Sequence, residues 1–475
     1  MMAWDQAHAI KDVPPHGAEG RMPRKNDKGG TAMKSNSGAT SVKRNGGVDR
    51  QRRRLVKLIA ASGAGAITSP WMFQTGRAAG RPIKIGMVSP QTGPIAAFGE
   101  ADQWVLAEAN KVLAKGITVA GDQHPVEILY RDSQSNANRA AEVTAQLINR
   151  EKVDLVIGSS TGDTVIPVAS QCELAGVPCI TADDPWEDFF FGRKGDPKKG
   201  FEWTYHFFWG FGMVANLFAD MWLSLPTNKK VGLMLTNDPD GIAASNPEHG
   251  IAVTFRKKGL EVVDLGLYPP LSDDFTAQIG KLKAENCDIA CGIFNPPQFA
   301  IFWTQCAQQG YRPKIMTPPK ALLFPTAVEA LGDRGAGTST EVWWSHHHPF
   351  KSGLTGQTAL QFCDAYTAAT GKQWTQPIGF KHANLEVAID ALKRTKKLEA
   401  GAIRDAIKET DYDSLVGHIT WKGGPSNPVP NVCTTPLVGG QWKKGDKFKY
   451  DLNIVYNQTA PNIPLDSPFE PIKYS

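Results

Sequence analysis

Pro82-Ile83-Lys84-Ile85-Gly86-Met87-Val88 is a short apolar run that stops at Ser89-Pro90, the pattern of a buried strand closed by a turn. The period then changes. Over 98–114, Trp104, Leu106, Ala107, Val112 and Leu113 recur at helical spacing. The alternation continues with a strand at 124–130, where Val126, Ile128 and Tyr130 alternate. An Ala-rich helix at 137–150 ends on basic residues, which suit a helix C-terminus. Next come a strand at 153–157, a helix at 167–175 and a strand at 178–181. After an aromatic stretch around 203–211 the plan restarts: strand 230–236, helical region 241–258, strand 261–266, helix 275–284, strand 287–293, helix 297–309, strand 314–316. A third portion adds a strand near 342 and helices at 356–370 and 380–393. The tail, 416–454, reads as short antiparallel strands. Strands separated by helices imply parallel βαβ units. The order predicts an α/β fold of two lobes joined by several crossings, with ligand at the carboxyl ends of the strands.

The chain has 475 residues, enough for two or three domains of about 100–200 residues each. Apolar residues make up 41% and charged residues 21%, so a packed core is available. The net charge of +5 is uneven, because residues 1–54 are crowded with Lys, Arg and Gly. Residues 1–50 are expected to form a disordered basic leader, too poor in apolar side chains to offset ordering entropy. The remaining body is near neutral, which argues against nucleic acid as a partner. Arg52-Arg53-Arg54-Leu55-Val56-Lys57 precedes an apolar run of Ala, Gly, Leu and Ile, then small residues at Ala78-Ala79. That is the layout of a signal peptide over 51–80, twin-arginine-like, with a general-secretory signal as the competing reading. Its apolar run is far short of the roughly 20 residues a membrane span needs, and no later run reaches that length. Seven cysteines cannot all pair within one chain. Cys287 and Cys291 lack partners for a zinc set. Cys172 and Cys179 could bridge only if their backbones come within about 6 Å. Buried thiols are the default.

Beyond periodicity, the run Ile83 to Gly99 resembles the opening of the leucine/isoleucine/valine-type (type I) periplasmic solute-binding proteins of ABC transporters. Arg131-Asp132-Ser133-Gln134-Ser135, Val156-Ile157-Gly158-Ser159-Ser160-Thr161, Gly176-Val177-Pro178-Cys179-Ile180-Thr181-Ala182, Asp274-Phe275-Thr276-Ala277-Gln278-Ile279 and Val416-Gly417-His418-Ile419-Thr420-Trp421 fall in that family's order. The resemblance implies two Rossmann-like lobes joined by a three-crossing hinge, with 81–208 and 342–423 in the first lobe and 209–341 and 424–475 in the second. It implies a periplasmic, monomeric, non-enzymatic protein without cofactor that captures a small polar or carboxylate-bearing solute by hinge closure and serves a membrane permease. Amino acids, amides and aromatic acids are the expected solute classes. A sensor using the same clamp is the alternative.

The same resemblance nominates ligand contacts, each with a plainer competing role. Phe98 falls where the family has an aromatic wall; core packing competes. Ser160, Thr161 and Gly162 end the third strand, where hydroxyls and free N–H groups can hold a carboxylate; helix capping competes. Asp183, Asp184 and Trp186 follow the fourth strand and could bind a cationic or donor group with the indole stacking; a local turn cap competes. Asp240, Asn295 and Lys320 face them from the second lobe. Near Lys320 the family carries a Glu for an amino group, and none is present here, which puts a plain α-amino acid in doubt. His346-His347-His348, read as a strand, could place at most His346 and His348 on one ion, and no metal site is expected. No Gly-x-Ser-x-Gly elbow accompanies a hydrolase reading.

Cleavage is expected near Ala78. Mass spectrometry of protein recovered from the periplasm should find the mature N-terminus at about 78–81; an intact Met1 there would overturn it.

Overall fold

The computed structural model describes residues 80–474. The expected leader (1–50) and nearly all of the expected signal peptide, including the cut near Ala78, lie outside the described residues.

Ile83–Ser89 is the second strand from one edge of a six-stranded sheet, flanked by Val126–Asp132 and Leu155–Ser159. Beyond Leu155–Ser159 lie Cys179–Ala182, Thr204–Phe207 and the short Val432–Cys433, all parallel. The chain thus moves outward in one direction, returns to the start and moves outward in the other. That reversal leaves a crevice at the carboxyl ends of Ile83–Ser89 and Leu155–Ser159. The second sheet repeats the plan: Lys230–Thr236 lies between Glu261–Tyr268 and Ile289–Gly292, with Ile315–Thr317 at the edge, again all parallel. Ser339–Val342, Val438–Lys444 and Tyr450–Tyr456 form a three-stranded antiparallel sheet. The strand Ile83–Ser89 is buried along almost its whole length, as a strand covered by helices on both faces must be. The two parallel sheets, each ordered by such a reversal, form two Rossmann-like lobes.

Most expected elements are present, and three differences have physical causes. The aromatic stretch contains the strand Thr204–Phe207, buried on both faces. A strand covered on both sides has no polar alternation, and so reads as undifferentiated packing. The helices Trp186–Phe191 and Phe211–Leu223 flank it. The region 241–258 is two helices, Pro239–Ala244 and Ile251–Lys257, parted around Asn246-Pro247 because Pro disfavours helix at the residue before it. The strand Val432–Cys433 pairs with Thr204–Phe207, beyond the point where the sequence reading passes to the second lobe. His346-His347-His348 lies in a turn rather than a strand. The His346 and His347 rings meet there, while His348 is buried against Ser345. All seven cysteines are buried thiols.

The chain's return to the first lobe is secured by Lys381, on the buried helix Pro377–Arg394. Its ammonium donates to Ser89 Oγ and to the Ser159 carbonyl, each at 2.6 Å, and lies 3.8 Å from Asp102 Oδ1. Asp102 also accepts from the Tyr130 hydroxyl at 2.8 Å. Asn384, one turn on, donates to the Gly158 carbonyl at 3.0 Å. The strand ends that border the crevice are therefore fixed by one helix from far along the sequence.

Lys381→Met strips Asp102 of its compensating charge, and burial already holds that carboxyl above its usual range. Removing one partner of a buried pair should destabilise by roughly 3–5 kcal/mol. Urea unfolding is the measurement, and Asp102→Asn in the same chain should recover part of the loss. A change under about 1 kcal/mol would refute this role for Lys381.

Candidate functional site

The third strand runs out at Ser159, and the helix Gly162–Ala175 starts almost at once. Thr161 takes the N-cap position in an extended conformation, yet its side chain makes no capping bond. Its hydroxyl and that of Ser160 are buried without a hydrogen-bond partner among the described residues. The fourth strand ends at Ala182, and the chain turns sharply at Asp183, whose φ of 67° is left-handed. Such a conformation in a non-glycine residue costs energy and persists where surrounding structure imposes it. Asp183 accepts from Ser159 Oγ, which ties the two strand ends together.

From the second lobe, Asp238 caps the helix Pro239–Ala244 by accepting from Gly241 N at 2.9 Å. The next acid, Asp240, reaches across. Its Oδ1 accepts from the backbone N–H of Gly162 at 3.3 Å, at the positive end of the first lobe's helix. Lys320, also left-handed with φ 68°, donates to Asp240 and to Asp238 Oδ2, the latter at 3.1 Å. Its own N–H donates to Glu341 Oε1 at 3.0 Å. Gly162 permits this approach. A Cβ there would overlap the Asp188 carboxylate and come within 2.9 Å of Pro239 Cβ.

Asp184, Asp188 and Asp240 meet at this seam, with a carboxylate oxygen from each within 4.8 Å of the others. Neither oxygen of Asp184 finds a donor among the described residues. Two carboxylates in contact are hydrogen-bonded only when a proton lies between them, and the titration directions agree. Burial, then Asp188 and Asp240, push Asp184 well above the carboxylate range. Burial, then Asp240, push Asp188 up to about 8. Burial raises Asp163 to about 6 against the pull of Lys320. Burial raises Asp183 to about 7 despite Lys381 and Ser159. Burial works against the Lys320 charge, but Asp238 and Asp240 outweigh it and hold the ammonium above its usual range. Three oxygen donors of this kind would suit a hard cation better than a thiophilic one.

Beside the seam is a cavity of about 50 Å³, small against the roughly 300–1,000 Å³ of ligand sites. Its walls are mostly Phe98, Phe208, Trp209, Phe211, Leu323 and Trp343. Phe98 meets Phe324 of the second lobe edge-to-face at 5.0 Å.

Of the residues singled out in the sequence, Phe98, Thr161, Asp183, Asp240 and Lys320 line this cavity, and Gly162 and Asp184 form the seam beside it. Ser160, Trp186 and Asn295 do not line it. The Trp186 indole packs toward Phe191 and Gly210. Asn295 occupies the N-cap position of the helix Pro296–Gln308, its Oδ1 unpartnered among the described residues. Sequence reading missed Asp163, Asp188, Asp238 and Glu341. Asp188 carried a signal, since it lies four residues after Asp184. Asp238 immediately precedes a Pro at a helix start, which marks an N-cap.

The sequence profile described as periplasmic binding protein matches residues 82–445, and the chain belongs to that family. It is 25% identical over 401 residues to Leu/Ile/Val-binding protein homolog 7 of Brucella abortus, covering 78% of this chain and 92% of that one. Among solved structures it resembles the leucine-binding protein LivK of Thermotoga maritima, with TM-score 0.63 and 20% identity over 79% of this chain and 99% of that one. It also resembles a Rhodopseudomonas palustris ABC-transporter solute-binding protein in complex with 4-hydroxybenzoate, with TM-score 0.64 and 18% identity over 79% and 96% of the two chains.

A carboxyl group raised in the folded state stabilises it fully below the ordinary carboxylate pKa, about 4, and ceases to do so as pH rises through the folded value. For Asp163, Asp183 and Asp188 that loss runs from about 4 to about 8. The melting temperature of the unliganded protein should therefore fall between pH 6 and pH 8.5, and fall less in Asp188→Asn. Equal slopes in the two proteins would contradict the assignment.

Proposed function

We propose that this protein is the extracytoplasmic solute-binding component of an ABC importer, which captures a small polar solute by closing its two lobes and presents it to a membrane permease. The observation that carries the reading is the seam itself. Polar groups from strand ends of both lobes converge on one crevice, and the Gly162 N–H of one lobe is satisfied by Asp240 of the other. The family and the structural relatives support the same role, as does the absence of any need for covalent chemistry. A two-state hinge suffices, because the solute shifts the equilibrium by binding the closed form better than the open one.

On this reading the first lobe comprises 81–208 and 343–433, and the second comprises 209–342 and 434–475. Phe98, Thr161, Asp183, Asp240 and Lys320 would touch the solute, with Gly162 and Asp184 shaping its polar end. Ser160, Trp186 and Asn295 would support that surface from behind.

Leucine, 4-hydroxybenzoate, small amides and small amines should be screened by thermal shift, since a ligand at 100 times its Kd adds about 2.7 kcal/mol of stability. A hit should also reduce the radius of gyration in X-ray scattering, and Gly162→Ala, which crowds the seam, should abolish that contraction. A bound solute that leaves the radius unchanged would overturn the clamp reading.

A further inference from the structure

The crevice holds five carboxyl groups and one ammonium. Asp163, Asp184 and Asp188 from the first lobe face Asp238 and Asp240 from the second, against the single ammonium of Lys320 in that cluster among the described residues. Asp184 and Asp188 are almost wholly buried, so water does little to screen them. The N–H group at the start of the helix Gly162–Ala175, a natural seat for an anion, is already taken by the protein's own Asp240. A solute's carboxylate would have to displace that group and then face the remaining acids. A solute's cationic nitrogen would meet carboxyl oxygens without a hydrogen-bond partner among the described residues, both of Asp184 and Oδ2 of Asp188, and would take the place of the protons that burial and crowding hold on them.

The adjoining cavity supplies an independent observation. Its walls are chiefly aromatic and aliphatic carbon, and it is continuous with the acidic cluster through Asp240 and Thr161. The buried Thr161 hydroxyl, without a partner, offers an acceptor there as well. Aromatic faces attract cations. A site with acids at one end and rings along its sides suits a molecule with a charged nitrogen at one end and an apolar body.

We propose that the solute is an organic cation, an amine with an apolar body, whose nitrogen is held between Asp184 and Asp188 of one lobe and Asp240 of the other. This rests on the solute-binding reading above and narrows it, since the carboxylate head that the sequence suggested becomes dispensable. Ligand charge then favours the closed form: the cation replaces the protons that crowding otherwise forces onto these acids.

Calorimetric titration and thermal shift of the purified protein at pH 7.5 and low salt would compare matched pairs of opposite charge. These are 2-phenylethylamine with 3-phenylpropionate and isobutylamine with isovalerate, with phenylalanine and with calcium or manganese alone. At least one amine should bind and stabilise, and its matched acid should not. Asp184→Asn should weaken the amine tenfold or more without lowering the unliganded melting temperature, while Lys320→Gln should tighten it. Binding of the acids but not the amines would overturn the proposal and leave the clamp standing. So would phenylalanine binding without its amine counterpart, stabilisation by the metal ion alone, or an Asp184→Asn variant that binds amine as tightly as the native protein. Silence from compounds of every charge, in binding and in scattering, would sink the clamp reading too.

Discussion

The hydrogen bond from the Gly162 backbone N–H to the Asp240 carboxylate organises the crevice. It joins the start of one lobe's helix to an acid from the other lobe, and it exists because position 162 has no side chain to hold Pro239 and Asp188 apart. Once Asp240 is drawn to that helix end, Lys320 follows it, and Asp238 is held by the same ammonium. Asp184 and Asp188 are then left facing a carboxylate rather than a donor. The acidity of the crevice is thus a consequence of one close approach, not of composition, since the chain as a whole is basic.

The frame behind this contact is stiff where it has to be. Lys381 grips Ser89 and the Ser159 carbonyl, and Asp183 receives Ser159 Oγ, so the strand ends of the first lobe cannot drift apart. The left-handed backbones of Asp183 and Lys320 belong to the same logic. Each would relax in a loose loop. Held by neighbours, Asp183 ties two strand ends of the first lobe together and Lys320 holds Asp238 and Asp240. Preorganisation of this kind reduces what a solute must spend on ordering the site.

The sequence made the architecture legible because its strands and helices alternate with distinct periods, and the strand Lys230–Thr236 matches its expected span. It concealed Thr204–Phe207 because a strand buried on both faces loses the alternation that identifies strands. It concealed Val432–Cys433 because two residues carry no period at all. In the site, Phe98, Thr161, Asp183, Asp240 and Lys320 could be found from their positions after strands. Trp186 was misleading: an indole next to two acids suggests a stacking wall, yet helix geometry turns it toward Phe191 and away from the cavity. Asp163 and Asp238 were hidden for a different reason. Their importance lies in facing the other lobe's charges, and sequence order says nothing about which acids meet across a crevice.

On the proposed division the chain passes between the lobes after Phe207, after Val342 and after Cys433. Two such tethers define an axle. A third tether off that axle would restrict twisting and sliding more than rotation. On the proposed hinge the acids of the two lobes would then arrive together, on a common arc. The electrostatic barrier rises over a short final part of the swing, which makes the clamp closer to a latch than to a spring.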